Sequence, residues 1–233
     1  MGAVMAAVIT AAGGSTRMGG GLKKEYRPVA PNEESVLSRS LRRFVETGLF
    51  SAIVITHPAG GEEAARESLA PDLRSAAIFC PGSGTRRASV HSGLLALQPF
   101  NPDIVLIHDA ARPFLSAELI RRVAQATLGR GAAVPAVPTV DTLKEVEPDG
   151  RVARHLPRER VMAAQTPQGF AYAGILRAHA AAEKACATQE GREYTDDAEM
   201  WGAFEGAVYA VPGEVGNRKI TFPSDLIEAA NHG

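Results

Sequence analysis

Cysteine is scarce in this chain of 233 residues: there are two, Cys80 and Cys186, with no metal-ligand spacing between them. That excludes a disulfide-stapled scaffold and points to two reduced thiols in a cytoplasmic protein. Charge of one sign is also lacking. Lys and Arg number 25 against 26 Asp and Glu, a net charge of −1, so no nucleic-acid or anionic-membrane footprint is expected from bulk charge. No apolar run is long enough to span a bilayer, and the N-terminal one is broken by Gly13-Gly14 without a basic segment before it, so neither a membrane span nor a signal peptide is expected. Internal repeats, low-complexity segments and a dividing linker are absent. So are the H-E-x-x-H metal signature and the G-x-S-x-G nucleophile elbow. The six histidines read as structural or solvated.

What is present is an ordinary globular composition, 45% hydrophobic and 22% charged, in a length for which one domain, residues 1–233, is the default. The chain is organised around residues 6–26. An apolar run at 6–12 stops at Gly13-Gly14, and a loop of small residues follows that carries Arg17, Lys23 and Lys24. A buried strand ending in a glycine loop opens many α/β nucleotide-binding domains. Glycines let backbone N–H groups approach phosphate oxygens, and the cations neutralise polyphosphate charge. The plainer reading is a glycine-rich connection with solvated basic residues. Gly14 and Gly19 have Walker spacing, but Gly20 and Gly21 stand where Lys and Ser or Thr are required, and no G-x-G-x-x-G fingerprint fits.

Downstream, strand and helix patterns alternate. Helices are expected at 35–47 with Leu37, Leu41, Phe44 and Val45 on one face, at 62–69, at 87–97, and after Ser116 as a cap; strands are expected at 52–56, 75–80, 104–108 and 132–137. This predicts a mostly parallel sheet with helices on both faces, with ligands at the carboxyl ends of the strands. At residue 139 the alternation breaks. Residues 142–147 and 151–156 flank Pro148-Asp149-Gly150 and read as a projecting hairpin, either a plain surface feature or a dimer arm over 139–165. A helix at 172–187, another capped by Thr195, a strand at 207–211 and a last helix opening at Pro223 complete the pattern.

Asp109 ends a buried strand beside the first loop, where a carboxylate suits Mg²⁺ shared with substrate phosphates, or serves only as a turn residue. Arg112 suits a phosphate, or a surface salt bridge. A second glycine loop at 82–86 leads into a helix whose first turn holds Ser89, a reasonable second wall for a nucleotide. Lys219 is unremarkable by pattern.

Together these stretches resemble the 2-C-methyl-D-erythritol 4-phosphate cytidylyltransferase family. The matching residues are AAGGSTRM at 11–18, Lys24-Glu25-Tyr26, residues 82–90 with Arg86 and Ser89-Val90, HDAARP at 108–113, VDTLK at 140–144, QTPQ at 165–168, TDDA at 195–198 and NRKIT at 217–221. Glu25 replaces the family's usual Gln, Gly84 stands where an acid is common, and Pro157-Arg158-Glu159 differs from the usual Asp-Arg. The resemblance implies a Rossmann-like nucleotidyltransferase that makes CDP-methylerythritol and pyrophosphate from CTP and methylerythritol phosphate with Mg²⁺. It implies Arg17, Lys24 and Lys219 as catalytic cations. Ala11, Ala12, Gly13, Gly82, Ser89 and Ala110 would line the CTP site, and Asp109 the metal and substrate. Arg112, Thr142, Arg158 and Thr166 would bind the sugar phosphate, with a homodimer formed through the arm. The rivals are a cytidylyltransferase for another polyol phosphate, such as ribitol 5-phosphate, and a non-catalytic nucleotide-binding module. A nicotinamide oxidoreductase is disfavoured by the missing fingerprint.

Overall fold

The computed structural model describes residues 2–13, 22–188, 194–222 and 224–226. At its centre β1 (Met5–Thr10) runs parallel to β2 (Phe50–His57) on one side and to β4 (Ile104–Asp109) on the other. β3 (Ile78–Pro81) extends the sheet parallel to β2. Beyond β4 lies β9 (Gln168–Ala171), antiparallel both to β4 and to β5 (Ala132–Pro138). β10 (Tyr209–Pro212) closes that edge parallel to β5, and β8 (Met162–Ala164) also pairs with β5, antiparallel. The sheet is thus mostly parallel, as the alternation predicts. β8 and β9 have no counterpart in the sequence pattern: Met-Ala-Ala and Gln-Gly-Phe-Ala are short and hold no β-branched residue, and flanking strands rather than propensity make them extended.

Side-chain alternation along the central strands divides the core in two. Ala7, Ile9, Ile53, Ile55 and Leu106 pack under α1 (Val36–Thr47), α2 (Glu62–Glu67) and α4 (Ala117–Arg130). Ala6, Val8, Val54, Val105 and Ile107 pack on the opposite face under α3 (Arg86–Ala96), α5 (Tyr172–Thr188) and α6 (Asp197–Phe204). Leu37, Leu41 and Phe44 of α1 are fully buried, each stabilising the fold by roughly 1.5–3 kcal/mol. Val45, expected on the same face, is exposed instead: one residue past Phe44 turns it about 100° away from the core.

Helix starts follow their capping residues. Ser35 and Ser116 accept from the amides of Ser38 and Leu119, each at 3.0 Å, and α1 stops at Gly48 with φ +64°. The cap of α6 is Asp196, not the expected Thr195; its carboxylate accepts from Glu199 N at 2.8 Å while Thr195 bonds the Glu199 side chain. The expected hairpin is present as β6 (Lys144–Val146) and β7 (Val152–His155), antiparallel and exposed throughout. It leaves from the end of β5 and returns through β8. The helix expected from Pro223 lies mostly outside the described residues, and 217–221 forms no regular element.

Gly169 in β9 lets α4 approach the sheet. A Cβ there would sit 2.0 Å from Thr127 Oγ1 and 3.1 Å from Val123 Cγ1. Gly169→Ala should therefore cost about 1–3 kcal/mol, read as a lower urea midpoint at unchanged m-value.

Candidate active site

Parallel pairing of β1 and β4 in the register Thr10↔Asp109 brings both carboxyl ends to one edge of the sheet. Thr10 Oγ1 bonds His108 O at 3.2 Å, and Ala110 N donates to Thr10 O at 3.2 Å. Ala11 is held by Thr56 O, and Gly82 by His57 O at 2.7 Å. The loops after β1 and β3 meet at Gly82, where a Cβ would lie 2.3 Å from Ala12 Cβ and 2.8 Å from Ser89 Oγ. Ser89 accepts from Ser83 N and donates to the Ser83 or Thr85 carbonyl, so its hydroxyl shapes the loop. Ala110 is buried and Gly13 exposed on the same edge.

Asp109 is the electrostatic centre. Lys219 Nζ lies 2.6 Å from its Oδ2, and Nε and Nη2 of Arg86 lie 3.3 Å from its Oδ1. Burial works against the charge, but Arg86 and Lys219 outweigh it and hold the carboxyl far below its ordinary range. Arg86 also reaches Asp197 Oδ2 at 2.8 Å.

Lys219 is delivered by the stretch 217–221, which docks along the end of β4. Ile220 N donates to Ala111 O, Arg112 Nη1 donates to Asn217 O, and Asn217 Nδ2 donates to Thr166 O, each at 2.8 Å. Lys24 Nζ donates to Ile220 O, also at 2.8 Å. Lys24, far from Lys219 in sequence, thus bonds the backbone of the residue next to it. Lys24, Glu25 and Tyr26 form a buried 3-10 turn. Glu25, the departure from the family pattern, lies 3.7 Å from Lys23 Nζ and 3.9 Å from Lys24 Nζ, so it tempers the positive charge there. Burial pulls the Lys23 ammonium below its ordinary pKa, with Glu25 opposing. Arg17 lies outside the described residues.

Fully buried His108 organises the same edge. Asp109 N donates to Thr166 Oγ1 at 3.1 Å, and His108 Nε2–H donates to Arg112 O at 3.2 Å. Burial pushes the His108 pKa down to about 3, so the imidazole is neutral and its unprotonated Nδ1 accepts from the Thr166 hydroxyl at 3.0 Å. Thr166 therefore has its hydroxyl proton already engaged. Thr142 and Arg158 are exposed on the arm side, and Arg158 bonds Val140 O rather than any residue around Asp109.

Among the described residues no group of three or more His, Cys, Asp and Glu side chains could hold a metal ion. Asp109 offers one carboxylate, which fits a Mg²⁺ that keeps waters and shares substrate phosphates, not a protein cage. Missed from the sequence were Arg86 as a partner of Asp109, and Asp197 behind it. Arg86 stands at the first position of α3, straight after the second glycine loop, and that placement was the available signal.

The family model described as 2-C-methyl-D-erythritol 4-phosphate cytidylyltransferase matches residues 5–232. The bifunctional enzyme IspD/IspF of Nitrobacter hamburgensis is 39% identical over 229 residues, 95% of this chain and 53% of that protein. The one from Dinoroseobacter shibae is 42% identical over 226 residues, 96% of this chain and 52% of that protein. The chain therefore spans about half the length of the curated relatives it matches. Among solved structures, the 2-C-methyl-D-erythritol 4-phosphate cytidylyltransferase of Thermus thermophilus is 34% identical with a TM-score of 0.76, over 100% of this chain and 98% of that one. The 4-diphosphocytidyl-2C-methyl-D-erythritol synthase of Anaerococcus prevotii is 28% identical with a TM-score of 0.82, over 99% and 98%.

The depressed His108 pKa has a sign that can be tested. The unfolded chain takes up this proton below about pH 6.5 and the folded one does not. Stability should therefore fall as pH drops from 6.5 toward 4, by about 1.4 kcal/mol per unit from this group, with His91 adding in the same direction. His108→Gln should flatten that slope in urea midpoints measured across the window.

Proposed function

This chain belongs to the 2-C-methyl-D-erythritol 4-phosphate cytidylyltransferase family, and from that premise we propose that it transfers a cytidylyl group from CTP to 2-C-methyl-D-erythritol 4-phosphate. The products would be CDP-methylerythritol and pyrophosphate, a step in non-mevalonate isoprenoid precursor synthesis. The observation that carries the reading is the convergence of Lys24 and Lys219 on one short stretch beside Asp109.

The attacking group would be a phosphate oxygen of the sugar phosphate, largely ionised at neutral pH because its second pKa is about 6. No protein base is needed, in keeping with a neutral, internally bonded His108. What the residues must do is align two polyanions and counter the charge that builds as the bond to pyrophosphate breaks. Lys24, Lys219 and Arg17 would do this. The edge formed by Ala11, Ala12, Gly13, Gly82, Ser89 and Ala110 would take the cytidine. Arg112 would meet the sugar phosphate, with Thr166 held behind it through His108. Asp109 would hold Mg²⁺, which supplies neutralisation of phosphate charge when bound.

Thr142 and Arg158 are read as serving a partner's site in a homodimer joined through residues 139–165. The exposed Val140, Val146, Val152 and Met162 along this arm support that. We place the whole of 1–233 in one nucleotidyltransferase domain, with the arm as an insertion. Two cysteines outside any disulfide, and the absence of a helix long and apolar enough to cross a membrane among the described residues, fit a cytoplasmic location.

Pyrophosphate release with CTP and Mg²⁺ tests this. Methylerythritol phosphate should give the higher kcat/KM, and a preference for ribitol 5-phosphate would overturn the substrate assignment. Lys24→Ala and Lys219→Ala should each lower kcat/KM by about 10²–10³ in a folded protein. CTP binding without turnover in the wild type would instead make this a binding module.

A further inference from the structure

The TDDA stretch and the second Gln of QTPQ have no part in the roles above, yet the structure ties both to Asp109. Asp197 is fully buried at the start of α6. Its Oδ2 accepts from Arg86 Nη1 at 2.8 Å and its Oδ1 pairs with the equally buried His179 Nε2 at 3.2 Å. His179 in turn stacks on His91 of α3, centroids 5.5 Å apart. Arg86 therefore spans two carboxylates, one in the core and one at the candidate active site. The tight bond is the one in the core; the contacts to Asp109 are longer, at 3.3 Å.

The start of α6 is itself clamped to the sheet. Gln168 Nε2 donates to Asp196 Oδ2 at 2.7 Å, and Gln168 Oε1 accepts from Ala198 N at 3.1 Å. Gln168 pairs across β9 and β4 with Ile107, two residues before Asp109. The contacts form a closed circuit: Asp109, Arg86, Asp197, the first turn of α6, Gln168, β9, β4 and back to Asp109. A fork-shaped cation held rigidly at its far end fixes where its near end meets a second carboxylate.

We propose that Asp197 is a positioning residue for the transfer reaction: it holds the Arg86 guanidinium on Asp109 and so fixes the carboxylate against which Lys219 is placed. This rests on the functional reading above. Asp197 touches no substrate and acts only through Arg86. Its loss should change the rate of transfer more than the binding of CTP, because the nucleotide edge at Gly82 and Ala12 is not part of the circuit.

The test measures kcat and KM by pyrophosphate release for the wild type, Asp197→Asn, Arg86→Ala and the double variant, with urea midpoints to establish that each is folded. Asp197→Asn should lower kcat by about 10–100-fold, with KM for CTP changed by less than about threefold. In the Arg86→Ala background the same change should cost less than about twofold, since its route is already gone. Should Asp197→Asn not fold, Arg86→Lys is the second probe. A point charge cannot span both carboxylates, so kcat should fall similarly while the partly exposed side chain leaves the fold intact. An Asp197→Asn or Arg86→Lys enzyme with wild-type kcat overturns the inference. So does an Asp197→Asn loss of equal size with and without Arg86, which would mean that Asp197 acts through α6 packing. Failure of the functional reading is distinct: it appears as a wild type without turnover and takes the inference with it.

Discussion

Asp109 carries a negative charge at a position almost closed to water, and a carboxylate cannot stay ionised there alone. Leaving such a charge unpaired costs several kcal/mol, so the surrounding fold has to bring cations to it. Arg86 comes from the first turn of α3, and Lys219 from a stretch 110 residues beyond Asp109. Asp109 lets two cations sit side by side, Arg86 on Oδ1 and Lys219 on Oδ2. Lys219 reaches the edge where β1 and β4 end because the stretch 217–221 is docked there: Ile220 N and Asn217 Nδ2 donate to the Ala111 and Thr166 carbonyls, and Arg112 donates to Asn217 O.

Around this centre the neutral groups are as constrained as the charged ones. His108 sits between Thr166 and Arg112 with both ring nitrogens engaged, which leaves it no proton to exchange with a ligand. Its work is to hold the backbone and hydroxyl beside Asp109 in one arrangement. Gly82 does the same for the meeting of the loops after β1 and β3, by admitting Ala12 where any side chain would collide. Such an arrangement suits alignment and charge neutralisation rather than proton transfer, and that is what the proposed phosphoryl chemistry with an ionised nucleophile asks for.

Much of the fold was legible from local rules. The central strands, most of the core face of α1, the cap at Ser116 and the hairpin arm all follow from periodicity or turn chemistry that acts over a few residues. β9 was not legible because its sequence prefers nothing in particular and its shape comes from two neighbours. Asp196 displaced Thr195 as the cap of α6 because Gln168 on β9 grips the Asp196 carboxylate. Asp197 and His179 looked like an ordinary helix-start acid and an ordinary histidine; nothing within their own segments signals that one would be buried against Arg86 and the other against it in turn.

Residue order alone determined the strand-loop-helix succession, the glycine loops and the family to which the chain belongs, because those depend on spacing and residue type over short stretches. Which groups the charges meet was decided only by the tertiary structure. Lys24 and Ile220, Lys219 and Asp109, and Arg86 and Asp197 are separated by 196, 110 and 111 positions. No local preference specifies such pairs. They form because the parallel sheet brings its strand ends to one edge, and because a buried charge is stable only where an opposite charge can reach it.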